Sequence, residues 1–78
     1  MDKDKIQNIL EVTLEKSTKD PSKSDLLKAF KIKCKLEACE RVNQVINIIN
    51  KNSEFITNVF GISRSNIRMC INHLEALE

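Results

Sequence analysis

The chain has 78 residues, a formal net charge of +2 and 41% hydrophobic residues. A chain of this length buries only about 60% of its unfolded surface, so it has room for one small domain. This net charge is too small to identify a polyanion partner from charge alone. Ten isoleucines and seven leucines, against one glycine and one proline, favour helices over a sandwich of short strands.

The sequence shows no targeting or membrane-spanning pattern. Residues 1–10 alternate charged residues with isolated apolar ones, unlike a signal peptide, and no apolar run approaches the roughly 18 residues of a membrane helix. Three cysteines, an odd number, fit a reducing compartment better than a disulfide framework. We therefore expect a cytoplasmic protein with no membrane partner.

The first predicted helix covers about residues 3–16. Its apolar residues have the i, i+3, i+4, i+8 spacing of an amphipathic helix. They are Ile6, Ile9, Leu10 and Leu14. A loop over residues 17–25 follows, with Pro21 as the residue that interrupts helical structure, and either Ser22 or Ser24 is expected to cap the next helix.

The second predicted helix covers about residues 25–50, a stretch without glycine or proline. Its apolar spacing indicates one long central helix, or two helices joined by a slight bend. A helix of this length exposes more apolar surface than one short neighbour covers, so we expect a homodimer in which a second copy covers the rest. The residues expected at that interface are Leu36, Cys39, Val42, Val45, Ile46 and Ile49.

Residues 53–76 have the spacing of a helix-turn-helix. Five apolar positions fit the wedge between the two helices, and a glycine fits the turn, where the backbone adopts positive φ. These six residues are Ile56, Phe60, Gly61, Ile62, Ile67 and Cys70. Thr57 departs from the motif, because the point of closest helix approach usually has Ala or Gly. Ser53 and Ser63 are the expected N-caps of the two helices.

The last predicted helix, residues 63–76, carries polar residues opposite its apolar stripe, and Arg64 and Arg68 share that polar side. Arginine binds guanine edges, asparagine binds adenine edges, and the free N–H groups of a first helical turn bind phosphate. Double-stranded DNA is therefore the expected partner. The candidate DNA-binding residues on this helix are Ser63, Arg64, Ser65, Asn66, Arg68 and Asn72. Lys28 and Lys31, on one face of the second predicted helix, are candidates for non-specific phosphate contact.

Residues 42–76, VNQVINIINKNSEFITNVFGISRSNIRMCINHLEA, resemble the C-terminal part of the Fis family of bacterial nucleoid and enhancer-binding proteins. The run GISRSNIR is similar to the Gly-Ile-Asn-Arg-x-x-Leu-Arg type of segment that opens the recognition helix of that family. The resemblance implies a long dimer-forming helix before the helix-turn-helix, and two recognition helices that enter major grooves on one face of DNA. On this interpretation the protein is a small transcription regulator or nucleoid-type protein.

The alternative function is a helical protein-interaction module, such as an adaptor, anti-regulator or inhibitor, that does not bind nucleic acid. The equal number of acidic and basic residues over positions 51–78 favours it. Catalysis has little support, because one histidine without clustered carboxylates and without a glycine-rich phosphate loop offers no groups for acid–base or nucleophilic chemistry. We do not expect an enzyme.

A zinc site at Cys34, Cys39, Cys70 and His73 is the weakest of the interpretations. Cys34 and Cys39 are five residues apart, which places their sulfurs roughly 140° apart around a helix. Structural zinc usually takes its ligands from turns with shorter gaps. Small buried thiols are the better interpretation, and no metal or cofactor is expected.

Overall fold

The structure is a computed structural model that describes all 78 residues. It contains five α-helices and no strand, which confirms the predicted all-α class. In chain order they are α1 (Lys3–Leu14), α2 (Lys23–Glu37), α3 (Val42–Lys51), α4 (Ser53–Phe60) and α5 (Arg64–Glu75). None of the five combines the length and the apolar character that a bilayer-crossing helix needs.

The segment predicted as one long helix, or as two helices joined by a slight bend, forms two helices separated by residues 38–41, so the alternative of one long central helix is wrong. The break, residues 38–41, contains neither glycine nor proline. It is held by Gln44, whose Oε1 accepts hydrogen bonds from the backbone N–H groups of Glu40 (2.8 Å) and Arg41 (3.1 Å). The break lets α3 pack against α5 and bury apolar residues that a straight helix would leave in water.

The long helix that the Fis resemblance implied before residues 53–76 is also absent, because α3 has only ten residues. The apolar residues that precede residue 53 pack within the chain itself. Cys39, Val42, Val45 and Ile49 are buried in the core, and Leu36 and Ile46 are half-buried against it. These six residues are therefore not the exposed dimer face that the sequence predicted.

The core is built around α5, against which α1 and α3 both pack. Ten residues are buried, of which α5 supplies four, α3 three and α1 one, and the connecting segments supply the other two. They are Ile6, Cys39, Val42, Val45, Ile49, Ile62, Ile67, Cys70, Ile71 and Leu74. Neither α2 nor α4 has a buried residue, so these helices lie at the margin of the core.

The predicted N-caps of α2 and α4 have different outcomes in the structure. Ser22 caps α2, as one of the two predicted alternatives, because its Oγ accepts a hydrogen bond from the backbone N–H of Asp25 (3.3 Å). Ser53 does not cap α4: it is the first residue of that helix, and its Oγ donates to the carbonyl of Asn50 (3.0 Å). The prediction of Ser53 as an N-cap is therefore wrong, and Asn52 occupies the cap position.

Candidate nucleic-acid interface

The turn between α4 and α5 is made at Gly61, which has φ 69° and ψ 20°. This left-handed conformation is unstrained only for glycine, and it ends α4 as the sequence predicted. The N–H of Gly61 donates to the carbonyl of Thr57 (3.0 Å), which completes the last turn of the helix. A Cβ atom at position 61 would also collide with Oγ1 of Thr18. Two separate constraints therefore require glycine here.

The loop between α1 and α2 is hydrogen-bonded to this turn. The carbonyl of Phe60 accepts from Ser17 Oγ (2.9 Å) and from the N–H groups of Thr18 (2.8 Å) and Lys19 (3.1 Å). The carbonyl of Gly61 accepts from Thr18 Oγ1 (3.1 Å). These bonds satisfy carbonyls that the end of a helix otherwise leaves unpaired, and they hold the entry to α5 in place. The sequence identified residues 17–19 only as loop.

The start of α5 is fixed by Ser63, whose Oγ accepts from the N–H of Asn66 (3.2 Å). This confirms the predicted N-cap, a bond that stabilises by about 1 kcal/mol. The first turn of α5 contains no acidic residue. Its remaining N–H groups and the positive end of the helix dipole are therefore available to an anion.

One side of α5 is locked into the core and the other is free. Ile67, Cys70, Ile71 and Leu74 are all buried. The exposed polar side chains outside this buried stripe are Arg64, Ser65, Arg68 and Asn72, and we call them the arginine face. Since a helix surface bears residues three and four apart as neighbours, these four form one continuous polar surface.

Two predicted DNA-binding residues of this helix lie off the arginine face. Asn66 is half-buried and lines a shallow depression with Ile9 and Val12 of α1, so it is turned towards α1. Ser63 is exposed at the helix terminus, where its Oγ also lies 3.1 Å from Ser65 Oγ. The arginine face thus contains four of the six residues that the sequence singled out on α5.

The two candidate lysines lie on α2, which packs mainly against α3 rather than α5. Both are exposed. The ammonium of Lys28 lies 4.5 Å from the ring centroid of Phe55 in α4, a cation–π contact that ties the outer side of α2 to α4. Lys31 has no such contact, so it is the more available of the two for a phosphate.

Met69 was missed by the sequence analysis and lies beside the arginine face. It is exposed, four residues after Ser65 and three before Asn72. It also lines the depression beside α1 that Asn66 lines, so its side chain lies between α1 and the arginine face. The sequence could have indicated that Met69 is exposed, because its position in the helix falls outside the apolar stripe that ends in Cys70, Ile71 and Leu74.

Thr57, which departs from the helix-turn-helix pattern, carries a cost in this structure. Its Oγ1 is buried and has no hydrogen-bond partner. A buried hydroxyl without a partner costs about 1–3 kcal/mol. The polar atom of this residue is thus left unsatisfied.

The cysteines do not assemble into a metal site. Cys34 is exposed on α2, whereas Cys39 and Cys70 are separate members of the core. Burial raises the pKa of both buried thiols; a hydrogen bond with Thr13 opposes the rise at Cys70, and the charge of Lys3 opposes it at Cys39. Thiolates are the form that binds metal, so these two thiols are poorly suited to it. No three potential ligand residues come together.

The chain matches no protein-family model, no curated protein and no solved structure. Three features of the side chains and backbone bear on function: the glycine turn, the capped start of α5, and the exposed arginine face.

Proposed function

We propose that this protein binds double-stranded DNA, with α4, the Gly61 turn and α5 acting as a helix-turn-helix and α5 as the recognition helix. On this proposal it is a small transcription regulator or nucleoid-type protein. The observation that carries the proposal is the arginine face: two arginines, a serine and an asparagine are exposed together on a helix whose opposite side is buried. A helix anchored in this way presents its polar side chains rigidly to a groove.

The residues of the arginine face have distinct roles in this proposal. Arg64 and Arg68 bind guanine O6 and N7, and Asn72 binds an adenine edge. The first-turn N–H groups at Arg64 and Ser65, which have no partner within the helix, bind a backbone phosphate. Base contacts then provide specificity, and the phosphate contact sets the position of α5 along the groove.

Lys31, and Lys28 when it leaves the ring of Phe55, contribute phosphate contacts without sequence preference. The resemblance of residues 42–76 to the Fis family points to the same partner and stays a prediction. A homodimer extends the proposal, because two copies of α5 about 34 Å apart enter successive major grooves on one face of the duplex.

A salt titration of binding to duplex DNA tests the proposal. For the native chain, log K should fall linearly with log salt concentration, with a slope of about −0.9 for each phosphate neutralised. Changing both Arg64 and Arg68 to Ala should lower the affinity for a selected site by about 5- to 150-fold per arginine, since each bidentate contact discriminates by about 1–3 kcal/mol. The fold should persist, because both side chains are exposed.

Arg41→Ala is the matched control, since Arg41 is the third arginine and is exposed at the start of α3, outside the arginine face. It should leave site affinity close to that of the native chain. Lys31→Ala should weaken all sequences evenly and reduce the salt slope by about 1. A folded native chain that fails to bind any duplex at about 50 mM salt and 10 μM protein would overturn the proposal.

A second candidate function, binding to a protein through an apolar surface, is favoured by a different observation. An open groove lined mainly by apolar side chains runs between α1 and α2. No residue of the arginine face lines this groove, so the two functions are compatible. Substitutions distinguish the two functions, because a substitution in the groove should not alter the salt dependence of DNA binding.

A further inference from the structure

The segment between α1 and α2 brings two lysines to the start of α5. Lys16 lines the shallow depression between α1 and α5 that Asn66 also lines. Lys19 lies against the turn before α5: its N–H donates to the carbonyl of Phe60 (3.1 Å), and its Cγ lies 3.1 Å from the point that a Cβ atom at Gly61 would occupy. Both lysines are exposed. Two cations from a distant part of the chain therefore lie beside the entry to α5.

The direction of α1 explains why these two lysines, and not others of the same helix, reach this place. The loop after α1 is bonded to the carbonyls of Phe60 and Gly61, so the end of α1 lies beside the start of α5. A helix rises about 1.5 Å per residue, which puts Lys3 and Lys5 about 15–20 Å from Lys16 along its axis. The early lysines of α1 are therefore at the far end of the molecule from the turn.

The loop that carries the two lysines is fixed to the turn by hydrogen bonds. Ser17 Oγ lies within hydrogen-bond distance of the carbonyls of Lys19 (3.1 Å) and Phe60 (2.9 Å). Thr18 donates from its N–H to the carbonyl of Phe60 (2.8 Å) and from its Oγ1 to the carbonyl of Gly61 (3.1 Å). These bonds set where the two lysine side chains begin, and the exposed side chains remain free to reach a partner.

The charge around the first two turns of α5 is mainly positive. The two lysines join the two arginines of the arginine face, and the first turn of α5 has no acidic residue. Glu15 and Asp20 are next to the lysines in the sequence, but neither lines the depression at Lys16, which has no acidic lining residue. Four cations from two segments thus gather at one end of α5, a concentration that the balanced charge of residues 51–78 does not reveal.

We propose that Lys16 and Lys19 bind backbone phosphates of the DNA next to the bases that the arginine face contacts. Lys16 lies on the α1 side of α5 and Lys19 at the turn that precedes it, so the arginine face has a cation near two of its borders. These contacts rest on the proposed function and deepen it, because they assign part of the phosphate binding to the loop after α1, outside the helix-turn-helix.

The residue types suit a division of labour between the loop and the helix. Arginine has a planar group that makes paired hydrogen bonds with a guanine edge, whereas lysine is a compact charge on a flexible stem. Phosphate contacts fix the position of a protein on the duplex and carry no sequence information. The helix therefore supplies the groups that read bases, and the loop supplies the groups that hold the backbone.

A salt titration of duplex binding tests the proposal in the double variant Lys16→Gln, Lys19→Gln. The plot of log K against log salt concentration should become less steep by about 2, since each lysine neutralises one phosphate. Affinity should fall by the same factor for a selected site and for random duplex, in contrast to the loss of selectivity expected on removing Arg64 and Arg68. The fold should persist, because both side chains are exposed and Lys19 keeps its backbone bonds.

The double variant Lys5→Gln, Lys33→Gln is the matched control. It removes the same two charges, so both variants have a formal net charge of +2 − 2 = 0. Lys5 and Lys33 are exposed, and neither lines the depression beside α5. Lys33 belongs to the end of α2, which lies beside the start of α1, where Lys3 Nζ donates to the carbonyl of Glu37 (3.4 Å). The control should keep the native salt slope.

The acetylation rates of single lysines give a second measurement, made on the native chain. An amine-reactive ester should modify Lys16 and Lys19 more slowly in the presence of random-sequence duplex, and Lys5 and Lys33 at an unchanged rate. With duplex binding established, three results would each overturn the lysine contacts and leave the proposed function intact: an unchanged slope in the first double variant, an equal change in both variants, or no protection of Lys16 and Lys19. A native chain that binds no duplex would overturn both.

Discussion

Helices α2 and α5 begin in the same way and end up in different environments. Each is capped by a serine whose Oγ accepts from the N–H three residues later, Ser22 for α2 and Ser63 for α5. Yet α5 has four buried residues and α2 has none. The difference shows that capping specifies where a helix starts, whereas the match of its apolar stripe to neighbours decides how much it contributes to stability.

The neighbours explain the contrast. The apolar stripe of α5 is covered by α1 on one side and α3 on the other. The apolar residues of α2 are spread more widely around the helix, and only α3 packs substantially against it. Consequently α5 can carry an exposed polar face, and α2 is left with exposed apolar side chains, those of Leu26, Leu27 and Phe30.

The largest expected difference is between a leucine in α5 and one in α2. Leu74 is fully buried, so Leu74→Ala should lower the free energy of unfolding by about 2–5 kcal/mol. Leu27→Ala, at an exposed position, should change it by less than about 0.5 kcal/mol. Urea denaturation followed by circular dichroism measures both. Equal losses would mean that α2 is as well packed as α5.

Gly61→Ala tests the turn on which α5 depends, and it should cost about 2 kcal/mol. Alanine in the left-handed region loses about 1–2 kcal/mol, and its methyl group meets the hydroxyl of Thr18. The cost should therefore be smaller by about 1 kcal/mol in a Thr18→Ala background, as a double-mutant cycle would show. A neutral Gly61→Ala would contradict the left-handed turn and make one continuous helix of α4 and α5.

The two serine caps offer a direct comparison with identical chemistry. Ser63→Ala should destabilise the whole domain by about 1 kcal/mol, because α5 unfolds only with the core. Ser22→Ala should loosen α2 alone and change the global free energy of unfolding by less than about 0.5 kcal/mol. Amide hydrogen exchange resolves the two outcomes, with faster exchange confined to residues 23–37 in the second variant.

The smallest expected effect concerns the contact that ties α2 to α4. Lys28→Gln removes the cation–π contact with Phe55 and should cost about 0.5 kcal/mol. Lys31→Gln removes an equal charge from an exposed lysine without that contact and serves as the control. Faster amide exchange in α2 with the first variant only is the expected result. The same change with both variants would assign the effect to charge.

Most of the candidate site was accessible to sequence reasoning because it depends on near neighbours in the chain. The i, i+4 spacing of Arg64 and Arg68 places them on one side of a helix whatever that helix packs against. The direction of Asn66 was not accessible in the same way. It lies at the border between the two sides of α5, and the position of α1 decides to which side it belongs.

The sequence by itself determined the all-α class, the glycine turn and the serine caps of α2 and α5, because each is set by residues within one or two helical turns. Only the tertiary structure decided the break at residues 38–41, the burial of α3 against α5 and the open groove beside α2. The apolar spacing of residues 25–50 is satisfied equally by one straight helix and by two separate helices. The choice depends on the apolar area that distant segments bury together, and local spacing carries no record of that area.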